Sequence, residues 1–255
     1  MSADSVMPAQ PSTLRIHALE TRNEFLRMLR SPMFALPTLV FPMLFYVMFG
    51  LLLNHGNAQA ATYLYITYGV FGTMGSSLFG FGITVANERA LGHLHYKRAL
   101  PMPPSAYLLA KLGMAMLFAL IISFGLMALA FTLSGVRLHP GQFAMVVLVN
   151  VLGVLPLSAL GLWIGTRVPA AGAPMVINLV YLPISLLSGL WMPLSMMPPV
   201  VSKVATVLPP WHLSQLALKT VGYDSGHPAW IHVAFLAAVA VVFFLLAQRR
   251  LRRNG

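Results

Sequence analysis

Six apolar stretches run through this chain without one Asp, Glu, Lys, Arg or His: residues 33–53, 62–86, 112–134, 142–165, 172–191 and 233–247. At ~1.5 Å per helical residue, about twenty residues cross one hydrocarbon thickness of roughly 30 Å. The chain as a whole is 58% hydrophobic and 8% charged. A globular domain carries roughly 25% charged residues, so the polar surface needed for a water-soluble fold is lacking. Lipid is then the solvent for most of the chain. In lipid, backbone N–H and C=O groups must pair within their own segment, which makes each stretch a helix. The expectation is an all-α integral membrane protein of six transmembrane helices, near 33–53, 62–86, 105–134, 142–165, 172–191 and 228–247.

The sequence between these spans is equally patterned. Residues 1–12 are polar, contain Pro8 and Pro11, and read as a disordered tail. Residues 13–31 read as an amphipathic interfacial helix with its break at Ser31-Pro32. Leu14, Ala18, Phe25 and Leu29 share one face, and Glu20, Asn23, Glu24, Arg27 and Arg30 the other. Such a helix is expected in the interface plane, with Arg15 and Arg22 reaching to phosphates. Roughly thirty mostly polar residues precede the first membrane-length run, so this start reads as the lead into a span rather than a cleavable signal. The rest, 32–255, reads as one six-helix transmembrane domain. It holds a polar loop at 87–104 and an apolar, proline-broken segment at 192–227. Within the latter, two pieces of about ten residues are too short to span and are expected as re-entrant helices buried against protein.

Charge sets the orientation. If the N-terminus is cytoplasmic, the inside segments hold Arg15, Arg22, Arg27, Arg30, Arg89, Lys97, Arg98, Lys111, Arg167, Arg249, Arg250, Arg252 and Arg253. The outside then holds only Arg137, Lys203 and Lys219, thirteen cations against three. The positive-inside rule therefore predicts both termini in the cytoplasm. The formal net charge of +11 is accounted for by that bias, and basic patches interleaved with aromatics for nucleic acid are absent.

Several chemistries are excluded or disfavoured by what is missing. The chain has no cysteine, which rules out disulfides, thiol catalysis and thiolate metal sites. It has no G-x-x-x-x-G-K-[ST] loop, so nucleotide is not bound by that route. No internal repeat suggests an inverted-repeat transporter, and the bare spans offer no ionisable group for coupling to a cation gradient. His93 and His95 flank Leu94, but no third ligand lies near, and no metal site is assigned. Ser76, Ser77, Ser123, Ser158 and Ser185 are lone span hydroxyls that suit bonds to their own helix backbone. No catalytic residue is assigned.

Other features have two readings. Gly72, Ser76 and Gly80 repeat along the second span, and Gly161-x-x-x-Gly165 lies in the fourth. They suit close helix packing inside one chain, or a sliding surface between subunits. Asn178 and Tyr181, in the middle of the fifth span, either bond a neighbouring helix or face a pathway. Phe41, Phe45, Met48, Phe71 and Met74 suit an amphiphilic ligand or plain lipid-facing packing.

Three segments carry a family resemblance. They are the helix at 14–30, the run Asn87-Glu88-Arg89 … Arg98-Ala99-Leu100-Pro101 … Ala110-Lys111, and the run Gly189-Leu190-Trp191-Met192-Pro193 … Met197-Pro198 … Leu208-Pro209. In this order and topology the chain resembles the type-2 permeases of ATP-binding cassette (ABC) transporters, mostly bacterial exporters. One departure is His93-Leu94-His95, where the family often has acidic or small polar residues. The resemblance implies two permease subunits, identical or different, in the bacterial inner membrane among its lipids, with two cytosolic ATPase subunits. It implies that Glu88, Arg89, His93, Leu94, His95, Tyr96, Lys97 and Arg98 contact the ATPase. Phe71, Met74, Leu78, Asn178, Tyr181 and Leu182 would line the translocation path, and Leu190, Trp191, Met192 and Pro193 would form an outer gate. The chain would bind no cofactor of its own, ATP and Mg being held by the ATPase, and no nucleic acid. The cargo expected for an uncharged path is hydrophobic or amphiphilic: a drug, a lipid or a lipid-linked glycan. The competing readings are a lipid-modifying membrane enzyme using His212, His227 or Asp224, and a non-catalytic scaffold or channel.

Overall fold

The computed structural model describes residues 12–93 and 104–254, with helices throughout and no strand among the described residues. Most of the expected tail, and Leu94, His95, Tyr96, Lys97 and Arg98, lie outside the described residues. Among the described residues, six helices are long and apolar enough to cross a membrane. They are α2 (Pro32–Leu52), α3 (Ala58–Ala90), α4 (Pro104–Leu133), α5 (Pro140–Gly165), α6 (Ala173–Leu187) and α9 (Ala229–Asn254). The short helix α1 (Thr13–Leu29) precedes them, and α7 (Pro199–Ala205) and α8 (Pro209–Lys219) lie between α6 and α9.

Capping explains where these helices begin. Ser12 accepts from the Arg15 N–H at the start of α1. Proline stands in the first turn of α2, α5, α6, α7 and α8, where its missing N–H costs nothing and its fixed φ suits a helix. Hydropathy predicts the second span from about 62. The helix starts at Ala58 because the Asn57 side chain accepts from the N–H groups of Gln59 and Ala60, at 3.0 and 3.1 Å. The fifth span ends at Leu187, short of the expected 191. Gly189 adopts φ +72° there, and the Leu190 N–H bonds back to the Ser185 carbonyl at 3.1 Å, a Schellman closure. Leu190, Trp191, Met192 and Pro193 are therefore outside the helix. Both α2 and α3 contain a π-helical turn, at Tyr46–Leu52 and Phe79–Ile83.

Helix α3 is the central element. Its span is 83% buried, against 11% for α9, and it packs on α2, α4, α5, α6 and α8. Lipid supplies no hydrophobic drive between helices, so close backbone approach and polar links hold such bundles together. The small residues serve that purpose within one chain. A Cβ on Gly161 would meet the Leu78 Cα and the Ser77 carbonyl at 3.1 Å, and one on Gly165 would meet the Gly82 carbonyl at 2.6 Å. Asn150 of α5 donates to Ser123 of α4 at 3.0 Å in the same core.

Helix α1 departs from the face assignment made on periodicity. It lies along α4, with Thr21 against Gly113, Phe25 against Phe118 at 5.3 Å between ring centroids, and Met28 buried. Glu24, placed by its periodicity on the polar face, is also buried, whereas Leu14 and Leu29 are exposed. The reason is a set of charged partners on α3 and α4 that no helical wheel of α1 can show.

Replacing Gly165 by Ala should push apart two backbones that have no side chain to yield. The expected loss is about 1–3 kcal/mol, read as a lower thermal midpoint in detergent. Gly141→Ala, where the space around the glycine is open, should leave the midpoint within about 0.5 kcal/mol of the parent.

Candidate functional site

Four charged side chains from three segments meet where α1, the end of α3 and the start of α4 converge. Lys111 Nζ donates to Glu24 Oε1 at 2.7 Å, to Glu88 Oε1 at 3.1 Å and to Thr84 Oγ1 at 2.8 Å. Arg27 Nη2 bridges the same two carboxylates, at 2.6 Å from Glu24 Oε1 and 2.7 Å from Glu88 Oε1. The Tyr107 hydroxyl donates to the remaining Glu88 oxygen, Oε2, at 2.5 Å. Two carboxylates and two cations cancel, which is what lets charges sit at this depth. Lys111 is 0% exposed, and the Glu24 and Glu88 side chains only 8% and 5%, whereas the Arg27 side chain is 46% exposed.

This cluster grips both flanks of the 94–103 segment. Glu88 precedes the segment on α3; Tyr107 and Lys111 follow it on α4. Next to it, Arg89 donates to the carbonyls of Thr166 and, at 3.2 Å, Val168, meeting the unpaired carbonyls at the end of α5. Of the residues expected to contact an ATPase, Glu88 thus faces inward, Arg89 faces the end of α5, and His93 is exposed. Sequence reasoning missed Glu24, Arg27, Lys111, Thr84 and Tyr107 as a unit. A signal was present: Lys111 falls inside the expected third span, and Glu88 is the only acid between Glu24 and Asp224.

A cavity of about 610 Å³ opens beside the cluster, between α2, α3 and α6. Its polar end holds Arg27, Asn87, Glu88 and His93, and its apolar walls include Phe34, Phe41, Phe79, Ile83 and Leu182. It follows α3 from Glu88 up to Gly75, which lies beside Tyr181. The π-turn at Phe79–Ile83 sits in this wall, a feature frequent at functional positions. Asn178, Tyr181 and Leu182 line the cavity. Asn178 donates to its own helix at the Pro174 carbonyl, 3.0 Å away. Phe71, Met74 and Leu78 do not line it and are fully buried in the bundle.

Beyond Tyr181 lies an aromatic cluster. Tyr181 stacks on Phe71 at 4.7 Å and donates to the Phe71 carbonyl at 3.2 Å. Trp191 packs on Phe45 at 5.4 Å and on Phe71 at 6.1 Å, and its indole N–H donates to Ser185 Oγ at 2.9 Å. Tyr63 donates to the Gly189 carbonyl at 2.8 Å, and Tyr68 to that of Trp191 at 3.4 Å. Leu190 is fully buried beneath. The groove therefore runs from the charged cluster to the aromatic one, and its flank is exposed at Phe41, Asn178 and Leu182.

At the junction of α8 and α9, His212 Nε2 bonds the Thr206 carbonyl and His212 Nδ1 faces His232 Nδ1, both at 2.9 Å. A carbonyl only accepts, so His212 carries its proton on Nε2 and its neutral Nδ1 accepts from His232. Burial, with His227 nearby, holds His212 below the ordinary histidine range. Asp224 is paired with Lys219 at 2.9 Å. The His212–His232 contact joins the segment 192–227 to the last span.

Residues 18–221 match the family described as ABC-2 type transporter. A protein of Bacillus subtilis (strain 168) named as a transport permease, YvfS, is 31% identical over 230 residues, covering 88% of this chain and 92% of YvfS. The inner membrane transport permease YhhJ of Escherichia coli (strain K12) is 27% identical over 179 residues, covering 68% of this chain and 47% of YhhJ. The Shigella flexneri YhhJ aligns equally well.

Lys111→Met should leave Glu24 and Glu88 sharing Arg27 alone, at a cost of about 3–5 kcal/mol, measured as a lower thermal midpoint in detergent. Glu24→Gln in the same chain should restore part of it, because the two sites are coupled. At the other cluster, a histidine whose pKa is depressed on folding favours the folded state above the unfolded pKa of about 6.5 and loses that contribution as pH falls below it. The midpoint should therefore drop as pH is lowered from 7.5 to 5.5, and His212→Gln should flatten that slope.

Proposed function

Because the chain belongs to the ABC-2 type transporter family and is a membrane permease subunit of an ABC transporter, we propose that it pairs with a second permease subunit to form an exporter driven by two cytosolic ATPase subunits. It is a multi-pass bacterial inner-membrane protein. The excess of Lys and Arg around α1, the end of α3, the start of α4 and the C-terminus favours the cytoplasm for that end of the bundle. On this reading the groove faces the cytoplasm and the aromatic cluster of Phe45, Phe71, Tyr181 and Trp191 is the closed outer gate. The partner ATPases hold ATP and Mg, and this chain contributes no nucleotide loop.

The observation that carries the proposal is the four-charge cluster. It fastens both flanks of the 94–103 segment, and the interfacial helix with them, beside the charged end of the groove. A push on the segment 88–98 from a closing ATPase pair would then displace α1, α3 and α4 together rather than bend a loop. Glu88 and Arg89 anchor the segment on this view, and His93, Leu94, His95, Tyr96, Lys97 and Arg98 offer the contact surface. Movement of α3 against α6 would unstack Phe71 from Tyr181 and open the far side to a hydrophobic or amphiphilic cargo.

Co-expression with a candidate ABC ATPase should give a complex whose ATP hydrolysis rises with added cargo. Arg98→Glu should weaken co-purification, whereas Trp191→Ala should spare co-purification and uncouple hydrolysis from transport. Cargo movement by the chain alone, in liposomes without any nucleotide hydrolase, would overturn the proposal.

A further inference from the structure

The charge arrangement around the groove carries information about what enters it. Four ionised groups meet at its polar end, but they are not equally presented. Lys111 is fully buried and the two carboxylate side chains are at most 8% exposed. Both oxygens of Glu88 are taken, Oε1 by Arg27 and Lys111 and Oε2 by Tyr107. Arg27 is nearly half exposed, and its bonds to both carboxylates run through Nη2. That leaves Nη1 and Nε as donors. Asn87 and His93 add exposed polar groups at the same end. A neutral cluster thus offers the unengaged donors of Arg27 to the groove, while the Glu88 carboxylate that also lines it has both oxygens engaged.

The remaining walls are apolar, and at about 610 Å³ the volume falls in the range that holds one drug-sized ligand. We propose that the groove binds a single-chain amphiphile with an anionic headgroup, phosphate or carboxylate, and disfavours a cationic amphiphile of the same chain. The headgroup takes the free donors of Arg27, whose planar fork matches a phosphate or carboxylate, with Asn87 and His93 beside it. The chain lies along Phe34, Phe41, Phe79 and Ile83 toward Tyr181. A cationic headgroup finds no free carboxylate among the described residues lining the groove and meets Arg27 instead. This inference names the ligand class of the groove and rests on reading that groove as the translocation path.

The test uses the full chain in phosphatidylcholine nanodiscs, with empty nanodiscs as the reference for partitioning. Equilibrium binding of dodecyl phosphate, laurate and dodecylamine is measured. Dodecyl phosphate and laurate should bind at least about tenfold more tightly than dodecylamine, the scale of one charge-assisted contact. Arg27→Gln should remove the preference, and Arg27→Lys, which keeps the charge in the cluster, should retain much of it. Leu182→Trp, which fills the groove, should abolish specific binding of all three. Equal binding of amine and phosphate, with Leu182→Trp still blocking both, overturns the anionic class and leaves the groove as the path. Binding unaffected by Leu182→Trp overturns the reading of the groove itself. Loss of dodecyl phosphate binding when phosphatidylglycerol replaces phosphatidylcholine assigns the site to bilayer lipid and overturns a free single-chain ligand.

Discussion

Two carboxylates, a lysine and an arginine share one nearly dry pocket at the junction of α1, α3 and α4, and the arrangement around them follows from that burial. An ammonium at zero exposure is tolerable only with its counter-ions and hydrogen bonds in place. Lys111 has three acceptors within 3.1 Å. They come from Glu24 before the first span and from Glu88 and Thr84 at the end of the second. The three segments therefore assemble together, because any one of them missing leaves a charge stranded in a low dielectric. This fixes the pose of α1, which has few other reasons to turn a glutamate inward. It also pins both flanks of the 94–103 segment at a distance set by the cluster rather than by the segment's own conformation.

The other organising constraint is the solvent. Lipid gives apolar helices no reason to prefer one another, so specificity comes from close approach, polar links and ring stacking. Helix α3 collects all three. Its Gly82 carbonyl lies where α5 has Gly165, its Tyr63 and Tyr68 hydroxyls hold the turn after α6, and its Phe71 ring stacks on Tyr181. Such contacts are few and discrete, with aromatic packing at one end of the groove and charge at the other. A helix held this way can shift as a rigid body between two arrangements of a small number of contacts.

Much of this was legible in the residues. The spans follow from uncharged runs, the breaks from Ser31-Pro32 and the prolines of 192–210, and the short helices α7 and α8 from lengths that cannot cross a bilayer. The resemblance around Asn87-Glu88-Arg89 and Gly189-Leu190-Trp191 agrees with the family to which the chain belongs. Boundaries were less legible where a cap, not hydropathy, starts or ends a helix, as at Asn57 and Gly189. The inward face of α1 was not legible. Periodicity sorts side chains by polarity, and Glu24 is polar; only its partners, Arg27 and, far along the chain, Lys111, make its burial favourable. Of the residues expected on a path, Asn178, Tyr181 and Leu182 line the groove, while Phe71, Met74 and Leu78 turn into the bundle. One-dimensional hydropathy cannot separate the lipid-facing, protein-facing and cavity-facing sides of an apolar helix.

The sequence by itself determined the solvent, the number of spans, the helical class and the absence of a nucleotide loop, because each depends on the local residue content of one segment. The tertiary structure alone decided which charges pair, which residues line the groove and which donors are left unengaged at its polar end. Those properties depend on distances between groups as much as 87 residues apart in the chain, and electrostatic energy in a dry site is a function of distance, not of order along the sequence.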